Sequence, residues 1–312
     1  MPLDAAAARF LKRLNAFAAG GPTEPSLDDL RRNLTALTAF AAPAPSVSRV
    51  DETLAAGDRH LPIRLYAGQA GNWSKAAGLI YFHGGGLVAG DLDTHDALCA
   101  TIAKAASCVV VAIAYGLAPE NAFPGPFDDA LAAADALLRA PERYGLDAAR
   151  IAVGGDSAGG ALAVYVARAL RGSHPGLSGL ALLCPALSVE PASPSRLALA
   201  HGHLLDEATL QAYWRLIRVE GVSSKDPRLS PVIRADLAGL PPTILHVAEF
   251  DPLRDEGEAF ARRLKEAGVE TLVRRHAGLI HHFYGLGGAI PAARDALSVF
   301  CADLGAMMRA SS

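Results

Sequence analysis

The chain has 312 residues, and 51% of them are hydrophobic, which is enough to fill one large core or two small ones. Its formal net charge is −3 and its lysines and arginines are scattered, which excludes a general attraction to nucleic acid or to anionic lipid. No stretch is long and apolar enough to cross a bilayer. We therefore expect neither a nucleic-acid partner nor a membrane partner.

The N-terminal part of the chain predicts two helices followed by a hairpin. Phe10, Leu11 and Leu14 recur at helical spacing, which is typical of an amphipathic helix. Ser26, followed closely by two aspartates, is typical of a capped helix start. Gly57 lies in a turn between two strand-like runs. We predict helices over residues 3–17 and 26–40 and strands over residues 47–54 and 61–66.

From residue 79 onward, short apolar runs alternate with helical patterns. The predicted strands are residues 79–82, 108–114, 151–153, 177–183, 243–248 and 270–274. The predicted helices between and after them are residues 94–106, 127–139, 161–170, 254–267 and 291–308. Apolar strands separated by helices indicate an α/β fold with a mostly parallel sheet covered on both faces.

Residues 190–221 break this alternation. The segment enters through prolines and contains an aromatic helix with Tyr213 and Trp214. We interpret it as an insertion that packs with the two N-terminal helices to form a cap. Tyr213 and Trp214 are expected to be packing residues first, although an aromatic side chain on a cap can also line an apolar pocket.

The chain around Ser157 predicts a strand, a sharp turn and a helix. Residues 151–153 are short and β-branched, whereas residues 161–170 are strong helix formers. The turn reads Gly155-x-Ser157-x-Gly159, and its small residues let strand and helix approach closely, as in a nucleophile elbow. The helix N-terminus then favours a developing oxyanion near the serine. On this motif alone, a phosphate-binding turn or an uninvolved serine stays open.

Candidate partners for the serine follow later in the chain. A serine nucleophile needs a base, and the base needs a carboxylate that orients it. In sheet enzymes with this turn, the carboxylate comes next and the histidine last. A predicted strand ends just before Glu249 and Asp251, and we favour Asp251 because it lies beyond the strand. Residues 277–283, predicted as a loop, contain His281 and His282, one of which should be the base.

A glycine triplet ends a strand in the first half of the predicted sheet. Three consecutive glycines let the backbone approach a substrate oxygen with no Cβ in the way. We assign an oxyanion hole to the N–H groups of Gly85, Gly86 and Ala158, with Gly84 shaping the turn. A plain glycine loop is the alternative. His83 is expected to be a structural hydrogen-bonding residue.

Cysteine spacing and N-terminal composition favour the cytoplasm. The four cysteines are far apart and form no Cys-x-x-Cys pair, which excludes a zinc knuckle and a dithiol redox motif. Residues 1–20 contain charged residues and no unbroken apolar run, unlike a secretory signal. His201 and His203 have no third ligand near them in sequence, so we expect no metal. We predict a reducing, cytoplasmic location with Cys108 and Cys184 as buried free thiols.

Taken together, these motifs resemble the hormone-sensitive-lipase-type (family IV) carboxylesterases of the α/β-hydrolase superfamily. The resemblance covers the chain from about residue 61 to its C-terminus. The matching motifs are residues 83–86 (HGGG), 117–120 (LAPE), 155–159 (GDSAG), 226–231 (DPRLSP), 251–257 (DPLRDEG) and 278–281 (GLIH). The resemblance implies the α/β-hydrolase fold, with a mostly parallel eight-stranded sheet flanked by helices and with a helical cap.

The same resemblance implies a function and a domain arrangement. The implied activity is a serine carboxylesterase that hydrolyses small to medium, uncharged acyl esters through an acyl-enzyme intermediate and uses no cofactor, and the family allows a homodimer. The implied triad is Ser157, Asp251 and His281. The implied domains are N-terminal cap helices over residues 1–45, a catalytic domain over residues 46–189 and 222–312, and a cap insertion over residues 190–221.

Three residues depart from the family pattern. The family usually has glycine where this chain has His282, so His281 is favoured as the base but His282 stays open. Leu87 replaces an aromatic residue after the glycine triplet, which bears on the substrate pocket. Gly116 replaces an arginine, so we expect a local ion pair to be missing there.

Two other functions stay open: a small-molecule receptor without hydrolytic activity, and an acyl amidase.

Overall fold

The computed structural model describes most of the chain. The described residues are 1–18, 24–68, 74–172, 176–190, 193–218, 220–234 and 236–310. Residues 191–192 and 219 of the predicted insertion lie outside them. The described strands are β1 (Ser48–Ala56), β2 (Arg59–Ala67), β3 (Ala76–Phe82), β4 (Val109–Ile113), β5 (Leu146–Asp156), β6 (Gly179–Leu183), β7 (Thr243–Phe250) and β8 (Thr271–Ile280).

Helices surround these strands and precede them. The described α-helices are α1 (Ala5–Ala18), α2 (Leu27–Leu37), α3 (Asp96–Ala105), α4 (Gly125–Arg139), α5 (Ala158–Ala169), α6 (Pro194–Ala198), α7 (Glu207–Ile217), α8 (Pro231–Arg234), α9 (Arg254–Glu266) and α10 (Pro291–Ala310). Short 3₁₀ helices cover Thr38–Phe40, Pro141–Tyr144 and Phe283–Gly285. Most bounds differ by only a few residues from those predicted from hydrophobic periodicity and turn residues.

The eight strands form one sheet in the order β1-β2-β4-β3-β5-β6-β7-β8. β2 pairs antiparallel with both β1 and β4, and all the other neighbouring pairs are parallel. Strands β3, β4 and β6 are buried along nearly their whole length, as expected for a sheet covered on both faces. The predicted mostly parallel, eight-stranded sheet is confirmed.

Helices pack on both faces of the sheet and form two hydrophobic clusters. On one face, α4, α5 and α9 contribute Phe127, Leu162 and Phe260. On the other face, α3 and α10 contribute Ile102 and Phe300. All five side chains are fully buried, so the sheet edge that carries the candidate site is held by packing on both sides.

The prediction of a loop over residues 277–280 is wrong, because β8 continues to Ile280. The strand is irregular there, since Gly278 has φ 71° and a register shift separates the pairs on either side of it. Its N–H donates to the Glu249 carboxylate at 2.8 Å, and its carbonyl accepts from the Asp4 N–H at 3.0 Å. These two contacts hold the backbone at Gly278, and β8 continues past it to Ile280.

Two helices predicted to belong to a cap lie beside the glycine triplet. Helix α2 begins with a capping box at Ser26, as the sequence predicted. From α2, Arg31 Nε donates to the Val88 carbonyl at 2.9 Å. From α7, the ring of Tyr213 lies directly over Gly86. Both helices are therefore placed against the loop that follows β3.

The cysteines are all buried and free, including the two predicted free thiols Cys108 and Cys184. Burial raises the pKa of the Cys108 thiol to about 12, so this thiol stays protonated and unreactive at neutral pH. Within the described ranges, no helix has the length and apolar character needed to cross a membrane.

Candidate active site

Ser157 occupies the sharp turn between β5 and α5. Its backbone has φ 49° and ψ −120°, which is strained for a residue with a side chain. Glycine on both sides makes the turn possible. A Cβ on Gly155 would come within 2.5 Å of the Gly159 backbone, and one on Gly159 within 2.0 Å of the Phe82 carbonyl oxygen. The turn thus presents the serine hydroxyl at the C-terminal edge of the sheet, where a pocket opens.

Ser157, His281 and Asp251 form one chain of hydrogen bonds. Nε2 of His281 lies 3.2 Å from Ser157 Oγ, and Nδ1 lies 2.7 Å from Asp251 Oδ2. The other carboxylate oxygen, Oδ1, accepts from the Leu253 N–H at 2.8 Å. Because a carboxylate can only accept, Nδ1 carries the ring proton and Nε2 is left as an acceptor. Asp251 is 0% and His281 6% exposed, so bulk water does not weaken these bonds.

Glu249, the other candidate carboxylate, faces different partners. Its Oε1 pairs with the Met1 ammonium at 2.7 Å, and its Oε2 accepts from the Gly278 N–H at 2.8 Å. These bonds lower the pKa of the Glu249 carboxyl. Among the described residues it makes no hydrogen bond with His281, so the geometry brings Asp251 to the imidazole instead.

His282 lies next to His281 in the chain but in a different environment. Its φ is 60°, a left-handed conformation that glycine adopts without strain, which gives a physical reason for the glycine of related sequences. Its ring packs edge-on against Tyr284, with centroids 4.9 Å apart. Burial lowers its pKa to about 3, so the ring is neutral at physiological pH. Within the described residues no hydrogen bond joins it to Ser157.

The glycine triplet is pressed against the serine turn. A Cβ on Gly84 would lie 2.2 Å from Asp156 Oδ2 and 3.1 Å from the Ser157 Cβ. Gly86 has φ 64°, and a Cβ there would lie 2.2 Å from the ring of Tyr213. Side chains at these positions are therefore excluded by the turn on one side and by α7 on the other.

Three backbone N–H groups of the glycine triplet and the serine turn have no hydrogen-bond acceptor among the described residues. Across the described part of the chain, no acceptor binds the N–H groups of Gly85, Gly86 or Ala158. The Gly85 carbonyl accepts from the Val88 and Ala89 N–H groups at 3.1 and 3.0 Å, which folds the loop back on itself. Among the described residues, these three N–H groups are therefore free of competing acceptors.

A buried polar network supports the strand ends behind the turn. Asp156 accepts from the Tyr81 hydroxyl at 2.7 Å and lies 3.3 Å from His95 Nε2. Burial acts to raise the pKa of Asp156, but these neighbours together hold it well below its usual value. His83 stacks on Tyr115, with ring centroids 4.4 Å apart, and burial lowers its pKa to about 4. His83 is thus a neutral hydrogen-bonding residue.

An ion pair lies close to Gly116, although position 116 itself carries no side chain that could form one. The Asp129 carboxylate accepts from the Gly116 N–H and from Asn121 Nδ2, both at 2.9 Å, and it pairs with the Arg59 guanidinium. Arg59 belongs to β2, 70 residues away in the chain, so no local pattern indicated it. Gly116 itself has no room for a side chain, since a Cβ would lie 2.4 Å from the Asn121 amide.

A small apolar pocket of ≈ 70 Å³ opens at Ser157. Its apolar lining includes Leu87, Phe127, Leu205, Leu210, Tyr213, Trp214, Ile217, Leu229 and Leu253. The charged residue in its wall, Arg196, is 3% exposed and binds Glu207 through two nitrogens at 2.8 and 3.2 Å. The guanidinium charge is thereby neutralised, and the pocket favours a small uncharged group.

Sequence reasoning missed Glu256, a buried carboxyl beside this pocket. It accepts from the Leu187 N–H at 2.6 Å and from the Ser188 N–H at 3.2 Å. Burial raises its pKa to about 8. The signal lay in the DPLRDEG motif, but nothing in that motif showed which of its acidic residues turns inward.

We expect Glu256→Gln to stabilise the protein relative to wild type more strongly as pH rises. The unfolded carboxyl ionises near pH 4.5, whereas the folded one keeps its proton up to about pH 8, so wild type loses stability across that window. Glutamine retains an oxygen that accepts both N–H groups. Thermal unfolding should show a gain in Tm at pH 8 that exceeds the gain at pH 5 by at least about 2 °C. Glu266→Gln, at the exposed end of α9, is the control, and a Glu256→Gln difference that does not change with pH would contradict the prediction.

The residues considered for metal binding have other partners. In the part of the chain that the structure describes, Cys184, Asp251 and His281 are the one set of three metal-capable side chains close to one another. Asp251 and His281 bind each other, and burial raises the pKa of the Cys184 thiol far above its usual value, which makes it a poor ligand. His203 Nδ1 lies 2.8 Å from the His201 carbonyl oxygen. The set of Cys184, Asp251 and His281 therefore does not fit a metal centre, because two of its members are hydrogen-bonded to each other and the third stays a protonated thiol.

Comparison with known proteins gives several matches over most of the chain. A family described as "alpha/beta hydrolase fold" matches residues 79–285. An ethyl acetate hydrolase from Pseudomonas putida is 35% identical over 95% of this chain and 96% of its own length. The carboxylic ester hydrolase LipN from Mycobacterium tuberculosis is 36% identical over 85% of this chain and 73% of its own. The solved structure of the ester hydrolase EH1AB1, from the metagenome of Lake Arreo, has a TM-score of 0.90 and 36% identity, covering 97% of this chain and 98% of that one.

An eight-stranded sheet with a serine at its central strand-to-helix turn defines an α/β hydrolase. The chain belongs to this family, in its hormone-sensitive-lipase-type (family IV) branch of carboxylesterases. It is a serine carboxylesterase, and relatives named as ester hydrolases favour neither the receptor nor the amidase alternative.

Proposed function

We propose that Ser157 is the nucleophile of this carboxylesterase, that His281 is its general base and acid, and that Asp251 orients His281. One observation carries the proposal: the unbroken hydrogen-bond chain of 3.2 Å from serine to imidazole and 2.7 Å from imidazole to carboxylate. A serine hydroxyl is a weak nucleophile at neutral pH, and a base within hydrogen-bond distance activates it.

In the first half-reaction, Ser157 Oγ attacks the acyl carbon of the ester while His281 Nε2 takes the hydroxyl proton. The Asp251 carboxylate stabilises the imidazolium that forms. The tetrahedral intermediate then collapses, its bond to the alcohol oxygen breaks, and the imidazolium returns its proton to that oxygen. The alcohol leaves, and the acyl group stays bound to Ser157 as an ester.

In the second half-reaction, water takes the place of the alcohol. His281 Nε2 accepts a proton from water as the water oxygen attacks the acyl carbon. Collapse of the second intermediate breaks the bond to Ser157 Oγ, and the imidazolium returns the proton to that oxygen. The carboxylic acid is released and the enzyme is restored, so no cofactor is needed.

In both half-reactions, negative charge develops on the former carbonyl oxygen. The N–H groups of Gly85, Gly86 and Ala158 are the proposed donors to that oxygen, and Gly84 shapes the loop that carries the first two. Support comes from their lack of other acceptors among the described residues. A donor of this kind typically lowers the barrier by about 3 to 4 kcal/mol.

The proposed cap consists of residues 1–45 and 190–221, and the proposed catalytic domain consists of residues 46–189 and 222–312. The contact of the Tyr213 ring with Gly86 supports this division, because it lays α7 over the glycine triplet. Contacts from α2 to the same loop support it further. The cap then supplies much of the pocket wall and controls which substrates fit.

The proposed substrates are esters with a small, uncharged acyl group. The pocket volume of ≈ 70 Å³ leaves room for few carbon atoms, and the one charged side chain in its described lining is neutralised. A relative is named for the hydrolysis of ethyl acetate, itself a short ester. Together these observations favour acetyl and similarly short acyl groups over long ones.

A series of p-nitrophenyl esters tests the proposal together with a fluorophosphonate probe. We expect kcat/KM to be highest for acetate or butyrate and to fall by at least about tenfold at octanoate, because extra methylenes do not fit the pocket. The probe should label Ser157 and no other residue, as peptide mapping will show. Labelling elsewhere, or hydrolysis without labelling at Ser157, would exclude the assignment.

We expect Trp214→Ala to widen the acyl range. Removing the indole enlarges the pocket, so the octanoate-to-acetate ratio of kcat/KM should rise by about tenfold or more. Leu216→Ala, on the same helix but absent from the described pocket lining, is the matched control and should leave the ratio unchanged. An unchanged ratio in Trp214→Ala would mean that this pocket does not receive the acyl chain.

The proposal includes a homodimer. Strand β8 lies at one end of the sheet and pairs with β7 alone among the described strands, so a second copy can pair with its outer edge outside Gly278, whose carbonyl accepts from Asp4. Light scattering after size exclusion decides the question, since one chain has a mass of 32.3 kDa. A single-chain mass at micromolar concentration would remove the dimer from the proposal.

A cytoplasmic location is also proposed. The four free, buried thiols support a reducing compartment, where cysteines stay unpaired. Cell fractionation with an antibody against the chain tests this, and recovery with membranes or in the medium would contradict it.

A further inference from the structure

Ser195, in the short helix α6, is bonded to the segment that follows Asp251. The residue is 0% exposed. Its hydroxyl donates to the Pro252 carbonyl at 2.8 Å and accepts from the Asp255 N–H at 3.1 Å. Its own N–H donates to Asp255 Oδ2 at 2.7 Å. Three hydrogen bonds thus join one residue of the proposed cap to two residues of the proposed catalytic domain, Pro252 and Asp255.

One of these bonds reaches the triad through a single peptide group. The Pro252 carbonyl that accepts from Ser195 belongs to the same planar unit as the Leu253 N–H. That N–H donates to Asp251 Oδ1 at 2.8 Å, while Oδ2 of the same carboxylate binds His281. A hydrogen bond accepted at one end of a peptide group polarises it and strengthens the bond donated at the other end.

Asp255, the other residue that binds Ser195, is itself held in place by Arg254. Arg254 Nε donates to Asp255 Oδ1 at 2.9 Å, and Arg254 Nη1 donates to the Glu249 carbonyl at 2.7 Å. Burial of Asp255 acts to raise its pKa, but the bonds from Arg254 and from the Ser195 N–H outweigh burial and leave the pKa below its usual value. Asp255 therefore stays ionised and remains an acceptor for Ser195.

The same turn of helix also forms part of the pocket. Arg196 follows Ser195 and lines the pocket at Ser157, where it is bound to Glu207 and to the Glu190 carbonyl. A shift of α6 would therefore move the pocket wall and the Pro252–Leu253 peptide together. Helix α6 therefore connects the pocket wall at Arg196 with the peptide group that binds Asp251.

We infer that Ser195 is a positioning residue for Asp251, through which the proposed cap holds the catalytic acid in place. The inference rests on the proposed role of Asp251. Ser195 touches neither substrate nor the reacting atoms. It acts by fixing the peptide group that donates to the carboxylate, so its loss should affect turnover more than substrate binding.

The first experiment compares Ser195→Ala with Ser193→Ala. Ser193 Oγ accepts from the Arg196 N–H at 3.3 Å and lies 3.4 Å from Ser195 Oγ, but it has no hydrogen bond to residues 252–255 within the described residues. For Ser195→Ala we expect kcat to fall about 3- to 10-fold, the worth of one hydrogen bond, with KM changed less than about twofold. Ser193→Ala should keep kcat within about twofold of wild type. Equal losses of kcat in both variants would overturn the inference.

The second experiment is a double-mutant cycle with Asp251→Asn. If Ser195 acts through the carboxylate, Ser195→Ala should change kcat by less than about twofold once Asp251 is already asparagine. The same fold loss in both backgrounds would overturn the inference. A fully active Asp251→Asn enzyme would instead overturn the proposed function. A large loss of kcat in Asp251→Asn together with a wild-type kcat in Ser195→Ala would overturn this inference and leave the proposed function in place.

Folding is checked by circular dichroism and by Tm for every variant. If Ser195→Ala does not fold, Ser195→Cys replaces it, because a thiol has nearly the same size and is a weaker donor. The expected result is the same fall in kcat with little change in KM. Full activity in Ser195→Cys would then overturn the inference.

Discussion

Ser157→Ala is expected to lower kcat for p-nitrophenyl acetate by about 10⁴- to 10⁶-fold, the range seen when a catalytic serine is removed from a triad. The variant loses the one oxygen that lies 3.2 Å from His281 Nε2, so no acyl-enzyme can form. Stopped-flow absorbance should also lose any burst of p-nitrophenol. The proposed N–H donors are expected to keep binding the carbonyl oxygen, which should leave a small residual rate.

Two controls separate this loss from misfolding. Alanine keeps a Cβ, so the strained turn at φ 49° is unchanged and the far-ultraviolet circular dichroism should match wild type. Ser188→Ala changes another serine that lines the same pocket and should stay within about threefold of wild-type kcat. A Ser157→Ala variant that turns over at a wild-type rate would exclude Ser157 as the nucleophile.

His281→Ala is expected to show the second large loss, about 10⁴- to 10⁶-fold in kcat, because both proposed half-reactions transfer their proton through this imidazole. Its Nε2 and Nδ1 are the two points that connect serine to carboxylate. The KM for the ester should change little, since the ring is not part of the pocket's described lining. Steady-state kinetics on p-nitrophenyl acetate measure both parameters.

The matched control is His282→Asn. Asparagine tolerates the left-handed conformation at φ 60° and is also polar, so the loop should keep its shape. We expect this variant to retain at least about a tenth of wild-type kcat, because His282 has no bond to Ser157 among the described residues. If His282→Asn lost as much activity as His281→Ala, the two histidines could not be assigned different roles.

Ser157 and Asp251 could be chosen from their places in the predicted fold, whereas His281 was favoured over His282 only by the family resemblance. The serine needs small neighbours in a strand-to-helix turn, and Gly155 and Gly159 supply them. The partners need the same sheet edge, which the ends of parallel strands provide. Asp251 was preferred to Glu249 because it lies two residues further beyond the predicted end of the strand. In the structure, Asp251 is the carboxylate that binds the imidazole of His281.

Long-range polar contacts could not be derived in the same way. Arg59 reaches Asp129, and Ser195 reaches Asp255, across 70 and 60 residues of chain. Periodicity reports which face of an element is buried, but it does not report which two polar side chains meet there. The strand character of Gly278 was hidden for a related reason, since its partners lie in other elements.

The contact between Tyr213 and Gly86 makes these two positions a single unit for protein engineering. A Cβ at position 86 would fall 2.2 Å from the ring, so a larger residue there requires a smaller one at position 213. The positive φ of Gly86 narrows the choice further. Directed-evolution libraries for bulkier esters should therefore randomise both codons at once, because single-site libraries can change only one side of a shared volume.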